Sequence, residues 1–496
     1  MKVCFYLQRN FAPVGDAIAS VLRDEYGVVD FCAYVSTRPA LDFLKKEAAV
    51  RYSSLMCDED VVRSYKNEKL DIDYLRMLEK TYGIPNLWPY LMVDRTFMFS
   101  QGIREYPFSE PFKSHEDLLR ILQVTAKSVI ALLENEKPDA IVFSVVGALS
   151  SLLLYHIARA KGIPTHVIFP SLLENRFIVS SRHDHFSLKE ELGAGFDVSP
   201  AAEALRTARE FLASFRASPQ PYYKEFTPDA QQVSRAQHLR FLAPHRVGNS
   251  LNTVVREFQR YYLKEKEDDY SSIHPWHFLF DRVRRKLRNV RGIADFYDAL
   301  PSSELFAFFP LQYEPEISLL VQAPFITSQI EAVRLAARSL PVGWKLYVKE
   351  HPQMVGYRPR AFYRALKKIP NVRVVDPSVK SFGLTASSGL VIVISSTAGF
   401  EACLLKKPVV TLGNHFYNDL SFVKHCERPS DMARLVQEQV NSFAYDEEEL
   451  VHYIAKIIEG AALLNLGHIW YYERDANARR EGVRPLAALI ASRLRG

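Results

Sequence analysis

Residues 393–402, with the sequence VISSTAGFEA, decide the fold class of this chain. The stretch opens with the end of a continuous apolar run at 390–394, passes through three hydroxyl side chains and continues in a helical pattern. A short apolar run that leads at once into a helix is typical of a buried strand in a parallel sheet, whose helices cover both faces. We predict a strand over 390–394 and a helix over 399–405.

The same alternation of strand and helix extends outward from this stretch. Strands are predicted at 2–8, 28–35, 138–143, 165–169, 305–310, 344–348, 372–375 and 408–412. Residues 201–300 are instead charged, aromatic and helical in pattern. We therefore predict an α/β fold with two Rossmann-like domains, 1–200 and 301–496, that face each other across a cleft (the GT-B arrangement) and flank a helical insert at 201–300.

Composition excludes several protein classes. The 496 residues are 48% hydrophobic and 24% charged, close to the globular average, so disordered and fibrous proteins are excluded. The five cysteines are scattered without a CxxC pair, which argues against a disulfide framework and a zinc site. No signal peptide or run of the ~20 apolar residues that a membrane helix needs is visible, so we expect a cytoplasmic protein. A net charge of +6 is too mild to indicate nucleic acid.

The deciding stretch also predicts an anion site. Hydroxyls and free amides gathered at a helix N-terminus attract a phosphate, because the first-turn N–H groups are unsatisfied and the helix dipole is positive there. Candidate ligand-binding residues are Ser395, Ser396, Thr397 and Gly399, and Glu401 is a candidate acceptor for ribose hydroxyls. The alternative is that Ser396 or Thr397 is only a helix N-cap.

Two further strand ends carry polar groups. Lys349 and His351 alternate to one face where the strand at 344–348 ends, so both can point at one ligand. Two cationic or proton-donating groups suit a phosphate that gains charge as a bond to it breaks. Gln312 follows the strand at 305–310 in an otherwise apolar neighbourhood. The alternatives are an ordinary surface strand end and a proline-bounded loop.

Several of these motifs together resemble a known family. Phe309-Pro310-Leu311-Gln312, the Lys349-x-His351-Pro352 element, and 395–402 with its continuation 407–417 occur in that order. This looks like the capsular polysaccharide biosynthesis family, which includes the β-Kdo transferases that start bacterial capsule chains. The resemblance covers 305–420 well and the N-terminal half only in pattern. It implies a GT-B fold, a nucleotide-sugar donor (CMP-Kdo in the best-understood members) held by the C-terminal domain, and no metal. We expect a CMP- or UDP-linked sugar as co-substrate and no resident cofactor.

The family pattern also indicates a position for catalysis, with a departure. Capsular Kdo transferases carry a Glu-Asp-Gly-Phe element after a strand, and the comparable stretch here is Glu174-Asn175-Arg176-Phe177. We therefore leave the identity of the sugar open. Glu174 is the first candidate for the base or nucleophile. Asp16 is the second, on the expectation that a turn at 12–15 holds it at the rim of the cleft.

Two remaining features concern metals and partners. The triplet His183-Asp184-His185 has no further ligands at a known spacing, so we expect no metal site. The basic run at 281–291, preceded by aromatic residues, resembles an amphipathic helix that lies on an anionic membrane. The alternative for this run is a solvated helix face.

The functional prediction is a metal-independent glycosyltransferase of bacterial surface-polysaccharide assembly. It would act on a glycan or glycolipid acceptor at the inner face of the cytoplasmic membrane. Two alternatives remain open: a CDP-polyol phosphotransferase, and a non-catalytic scaffold of a capsule assembly complex.

Overall fold

The computed structural model describes residues 1–99, 113–220, 243–265 and 274–495, together with Leu239. These residues form two α/β units: an N unit from 1–98, 112–205 and 454–496, and a C unit from 206–453. The predicted insert at 201–300 lies partly outside the described residues, and its described parts are helical. The predicted α/β class with two Rossmann-like units is confirmed.

The elements are numbered in chain order. The strands are β1 Lys2–Leu7, β2 Asp30–Val35, β3 Tyr52–Cys57, β4 Ala140–Phe143, β5 Thr165–Pro170, β6 Arg176–Ser180, β7 Phe306–Pro310, β8 Lys345–Lys349, β9 Val372–Val375, β10 Leu390–Val393, β11 Val409–Thr411, β12 Val423–His425 and β13 Ala462–Leu463. The first ten helices are α1 Ala12–Tyr26, α2 Arg38–Lys46, α3 Asp58–Arg63, α4 Ile72–Thr81, α5 Trp88–Met92, α6 Arg95–Phe99, α7 His115–Glu136, α8 Leu149–Ala160, α9 Leu188–Leu192 and α10 Ala202–Ala217. They are followed by α11 Pro244–Arg260, α12 Pro275–Arg291, α13 Ile317–Leu320, α14 Gln329–Ser339, α15 Arg360–Lys367, α16 Ser381–Ser387, α17 Thr397–Leu404, α18 Met432–Asn441, α19 Glu447–Gly460, α20 Leu466–Tyr471 and α21 Ala476–Arg495.

The N unit is built on a seven-stranded sheet in the order β13-β6-β5-β4-β1-β2-β3. The strands from β5 to β3 are parallel, whereas β6 and β13 add to one edge in antiparallel fashion. The central strand β1 is buried from Val3 to Leu7, as expected for a strand with helices on both faces. Polar strand β3, whose sequence is YSSLMC, had no clear apolar pattern and was not predicted.

The C unit is built on a six-stranded sheet that is parallel throughout, in the order β12-β11-β10-β7-β8-β9. Its core consists of the inward faces of β7, β8 and β10 together with helices such as α14, where Ala332, Val333 and Ala336 are buried. The predicted strands at 305–310, 344–348, 372–375, 390–394 and 408–412 are all present to within one or two residues.

The domain boundary differs from the predicted one at the end of the chain. Residues 454–496, expected in the C-terminal domain, belong to the N unit. Strand β13 pairs with β6, and α21 places Val483, Leu486 and Ile490 in the apolar core that surrounds β1 and α1. The helical pattern of α21 predicted a buried face, but periodicity carries no information about which sheet that face covers.

Within the part of the chain that the structure describes, no helix combines the length and the apolar composition needed to cross a membrane.

Candidate functional site

The C-unit sheet has a topological switch point between β7 and β10. These strands are neighbours, with Leu390 opposite Ala307 and Val391 opposite Phe308. From β7 the chain continues to β8 and β9 on one side of the sheet, and from β10 it continues to β11 and β12 on the other. A crevice opens at the carboxyl end of the strands at such a point, and open α/β sheets bind ligands there. The three predicted polar segments follow β7, β8 and β10, so the fold brings them to one edge.

Gln312 and Ser395 meet at this switch point. The side-chain amide Nε2 of Gln312 donates to Oγ of Ser395 at 3.4 Å, and Ser395 Oγ donates in turn to the carbonyl of Ser318. Gln312 is only 6% exposed. Among the described residues, no donor lies within hydrogen-bonding distance of its Oε1 atom. A buried acceptor without a donor is costly, so this oxygen is suited to an N–H or O–H group of a ligand.

The backbone around Gln312 is held rigidly. Gln329, at the start of α14, accepts from the Gln312 amide N–H at 2.8 Å and donates to the Gln312 carbonyl at 3.1 Å. The Leu311 amide donates to the carbonyl of Lys349 at 2.8 Å, which ties the end of β7 to the end of β8. The loop that carries Gln312 is therefore fixed before any ligand arrives.

Arg358 connects the loop that follows β7 with the loop that follows β8, and the sequence pattern did not single it out. Its buried guanidinium donates to the Gln312 carbonyl at 2.7 Å, to Glu314 at 3.1 Å and to Glu350. Glu350 also accepts from the Tyr363 hydroxyl at 2.7 Å. A charge this deep requires such partners. A lone arginine in a loop has no sequence signal that distinguishes it from a surface cation.

Lys349 ends β8 with its side chain nearly buried. Its Nζ donates to Ser381 Oγ at 3.1 Å, and the residue is 5% exposed. Burial lowers the pKa of Lys349 to about 8, against the opposing effect of the carboxylates of Glu350 and Asp376. A buried ammonium with a pKa near the physiological range favours an anionic ligand strongly, because the anion stabilises the charged form.

Of the two expectations for His351, a cation or a proton donor, the structure favours the proton donor. Burial, assisted by the charges of Arg358 and Lys349, lowers the pKa of His351 to about 4, so the ring is neutral at physiological pH. Its Nδ1 accepts from the Gln353 amide at 3.3 Å. A neutral imidazole whose Nδ1 accepts carries its proton on Nε2. His351 therefore offers one N–H donor and no charge, and Lys349 alone supplies the cation of this pair.

The N-terminus of α17 completes the edge. Ser396 is its N-cap and accepts from the Ala398 amide at 3.2 Å, so for this residue the capping interpretation is correct. The helix begins at Thr397, two residues before the predicted start. Gly399 lies under Tyr417, whose hydroxyl donates to the Ser396 carbonyl at 2.6 Å. A Cβ atom at Gly399 would come within 2.3 Å of the Tyr417 hydroxyl oxygen, so a glycine is required here.

Glu401 lies one turn into α17 and is half-buried. Burial raises the pKa of its carboxyl to about 7. Desolvation is the cause of this rise in the pKa of Glu401.

Asp16, the second catalytic candidate, has a structural position in the N unit. The predicted turn at 12–15 is wrong: α1 begins at Ala12 with Pro13 in its first turn, and Asp16 lies inside that helix. Its carboxylate accepts from the Ala49 amide at 2.8 Å and from the Tyr52 hydroxyl at 3.2 Å, and burial raises its pKa. Asp16 thus holds the segment before β3 against α1 through these hydrogen bonds. It is only 4% exposed, so it does not lie at a solvent-accessible rim as predicted.

Glu174, the first catalytic candidate, lies in the tight connection between β5 and β6 at the carboxyl edge of the N-unit sheet. Its side chain is exposed. The next residue, Asn175, has a φ of +55°, a left-handed conformation that asparagine tolerates better than most side chains. The departure from the family element at Asn175 thus has a local reason in the turn.

The side chains of residues 183–185 contact neighbouring side chains of the N unit. Asp184 accepts from Arg182 at 3.1 Å and lies 3.0 Å from His185, while the His183 ring packs 4.6 Å from that of Tyr155. Across the described ranges, no group of three or more His, Cys, Asp or Glu side chains is arranged to hold a metal ion.

The comparison with protein families assigns the region that contains this site. The model of the family "Capsule polysaccharide biosynthesis protein" matches residues 202–425. This segment, which is less than half of the chain, is similar to the capsule polysaccharide biosynthesis family. The assignment confirms the resemblance read from the motifs between Phe309 and Tyr417, and it places the switch point of the C unit inside the capsule family segment.

Individual relatives of the capsule family segment are distant. The chain is 31% identical to the protein FixF of Sinorhizobium fredii over 137 residues, which are 26% of this chain and 31% of FixF, so the match spans about a third of that relative.

Solved structures are more distant still. The KpsC β-Kdo 2,7 transferase of Thermosulfurimonas dismutans matches with a TM-score of 0.34 at 13% identity, over 73% of this chain and 89% of the other. The KpsC β-Kdo 2,4 transferase of the same organism gives 0.36 at 15% identity, over 67% and 83%. The UDP-GlcNAc 2-epimerase of Neisseria meningitidis gives 0.28 at 12% identity, over 92% and 98%.

Proposed function

We propose that this protein is a glycosyltransferase of bacterial capsule or surface polysaccharide biosynthesis that takes its sugar from a nucleotide-activated donor. The single observation that carries the proposal is the unsatisfied buried amide oxygen of Gln312 at the switch point of a parallel sheet, where Lys349 and His351 lie at the end of the neighbouring strand β8. The family assignment of 202–425 supports the class of pathway.

In this proposal the donor phosphate binds between the end of β8 and the start of α17. Lys349 supplies positive charge, His351 supplies a hydrogen bond from Nε2, and the N-terminus of α17 supplies the positive end of the helix dipole. These groups stabilise the charge that develops on the departing nucleotide. Glu401 accepts from ribose hydroxyls, and Gln312 Oε1 accepts from the base or the sugar. The leaving group thus needs no metal ion in this proposal.

The N unit is proposed to bind the glycan or glycolipid acceptor. Glu174, exposed at the carboxyl edge of the N-unit sheet, is the proposed general base that removes the proton of the acceptor hydroxyl. CMP-Kdo and UDP-linked sugars are the donor classes to test first. A lipid-linked acceptor would bring the enzyme to the cytoplasmic face of the membrane.

Nucleotide binding tests the donor site directly. We expect CMP, UDP or one of their sugar derivatives to raise the melting temperature of the wild-type protein, and magnesium removal by EDTA to leave that shift unchanged. Gln312→Ala and His351→Ala should each weaken binding roughly tenfold, the effect of one or two lost hydrogen bonds. Lys345→Ala, at the opposite end of β8, is the control. Absence of any nucleotide-dependent shift would overturn the proposal.

Two experiments separate the alternatives. A CDP-polyol phosphotransferase would turn over CDP-glycerol or a related donor and leave nucleotide sugars intact. A scaffold would release no free nucleotide from any donor in the absence of acceptor, whereas the proposed transferase should hydrolyse its donor slowly under these conditions.

A further inference from the structure

Helix α12 presents an apolar stripe to solvent. Residues that recur every three or four positions share one face of a helix. The exposed stripe consists of Trp276, Phe280, Val283, Leu287 and Val290, and each of these side chains is between 44% and 63% exposed. A contiguous apolar surface of this kind marks an interaction site more often than an isolated exposed side chain does.

The opposite face of α12 is fixed to the C unit. Arg288 donates to the Tyr357 carbonyl at 2.7 Å, and the Arg285 guanidinium lies 3.9 Å from the centre of the Tyr357 ring. A Cβ atom at Gly356 would come within 1.8 Å of Asn289 Oδ1, so the helix rests directly on this loop. Because the back of α12 is seated in this way, the stripe is held outward.

The charges of α12 select the partner. Between 275 and 291 the chain has six arginines and lysines and one acidic residue, Asp281, which is buried. Arg284 and Arg291 are exposed on the same side as the stripe. Two copies of this helix packed stripe to stripe would bring these arginines together, so repulsion disfavours a second copy as the partner. An anionic surface with an apolar interior satisfies both the stripe and its basic border.

We propose that α12 docks on an anionic lipid bilayer, with Trp276, Phe280, Val283 and Leu287 inserted among the headgroups and Arg284 and Arg291 on the phosphates. The use of this docking rests on the proposed function, in which the acceptor is attached to the membrane. The loop under α12 runs from His351 to Arg358, so a bilayer that holds α12 also holds the donor site of the C unit close to its surface.

Vesicle flotation with the full chain tests the docking. We expect the protein to float with vesicles of phosphatidylcholine and phosphatidylglycerol, and not with phosphatidylcholine alone. The variant Phe280→Asp/Leu287→Asp should bind at least about tenfold more weakly, and Arg284→Glu/Arg291→Glu roughly tenfold more weakly.

Matched controls make the same chemical changes elsewhere. Phe325→Asp/Val342→Asp replaces two fully exposed apolar side chains of the C unit, and Lys45→Glu/Lys46→Glu reverses two exposed charges on α2. Both controls should float like the wild type. All variants change exposed positions, and melting curves in the absence of vesicles verify that each is folded.

The outcomes separate docking from catalysis. Flotation of the stripe variant at the wild-type level, or failure of the wild type to float with anionic vesicles, would overturn the docking proposal. Self-association that Phe280→Asp/Leu287→Asp abolishes, without vesicle binding, would overturn it in favour of a second copy. Nucleotides should still raise the melting temperature of the stripe variants, because their donor site is unchanged. If nucleotides do not raise the melting temperature of the wild type, that result contradicts the proposed function and leaves the docking proposal standing.

Discussion

The side-chain amide of Gln312 donates to the hydroxyl of Ser395 at 3.4 Å, although the two residues are 83 positions apart in the chain. The contact exists because β7 and β10 are neighbours in the sheet, although β8 and β9 come between them in the sequence. It brings the loop that follows β7 next to the loop that follows β10. The properties of the candidate donor site follow from this juxtaposition, and four predictions test it.

Nucleotide binding should depend on the protonation of Lys349. Since burial lowers the pKa of Lys349 to about 8, its positive charge is present below that pH and is lost above it. The Kd for the nucleotide, measured by calorimetry, should therefore rise as the pH increases through about 8. Lys349→Ala should bind weakly at every pH and remove this dependence, and Lys345→Ala should retain it. If the Kd of Lys349→Ala depended on pH as that of the wild type does, Lys349 would not belong to the nucleotide site.

The close approach of Gly399 and Tyr417 should not tolerate a methyl group. Gly399→Ala places a Cβ 2.3 Å from the Tyr417 hydroxyl oxygen, and forced overpacking costs about 1 to 3 kcal/mol of the free energy of unfolding. The displaced start of α17 should also weaken nucleotide binding. Gly383→Ala is the matched control, because a Cβ there meets nothing within 4 Å and alanine favours the helix α16. Equal stability of the two variants in urea unfolding would contradict the predicted clash.

Glu401 should destabilise the unliganded protein at neutral and higher pH. Burial raises its pKa from 4.5 to about 7, so the folded state binds a proton more tightly than the unfolded state between these values, and stability falls as the pH rises through this window. Glu401→Gln should therefore be more stable than the wild type above pH 7, by up to about 3.5 kcal/mol, since one pKa unit corresponds to about 1.4 kcal/mol.

The comparison requires urea unfolding of both proteins across the pH range. The advantage of Glu401→Gln should vanish below the pKa of 4.5 that Glu401 has when unfolded. The same substitution should weaken binding of ribose-containing nucleotides. An advantage that is constant with pH would show that the effect is not the ionisation of this carboxyl.

Substitution of Arg358 should lower the free energy of unfolding and weaken nucleotide binding. Arg358→Met leaves the buried carboxylate of Glu350 without its cation, and breaking a buried pair in this way costs about 3 to 5 kcal/mol. The Gln312 carbonyl also loses a donor, so nucleotide binding should weaken in whatever fraction remains folded. Arg364→Met, at an exposed position of α15, should stay within about 0.5 kcal/mol of the wild type.

Several elements of the fold could be predicted because their signals are local. The apolar runs of β1, β7 and β10 and the helical period of α14 follow from which side chains fit a buried strand or an amphipathic helix. The motifs at Gln312, Lys349 and Ser395 could likewise be located at strand ends. Strand β3 was missed because it is polar, and the turn predicted before Asp16 was wrong because a helix begins at Ala12, with Pro13 in its first turn.

The burial and charge of individual groups at the site could not be predicted from the sequence. Nothing in the sequence separates the buried Arg358 from an exposed arginine, since both are single letters in a loop. The sequence left open whether His351 is a cation or a neutral donor, because its pKa depends on burial and on Arg358 and Lys349, which come together only in the folded chain. The exposure of the stripe on α12 likewise depends on the loop that covers its other face.

By itself, the sequence determined the α/β class, the parallel sheets, the order of the polar strand ends and the resemblance of residues 305–420 to the capsule family. Only the tertiary structure decided that β10 lies beside β7, that α21 packs on α1, which polar atoms remain unsatisfied and which titratable groups are neutral. The reason is physical: side-chain periodicity reports the conformation of a few neighbouring residues, whereas sheet order and desolvation arise from contacts between segments far apart in the chain.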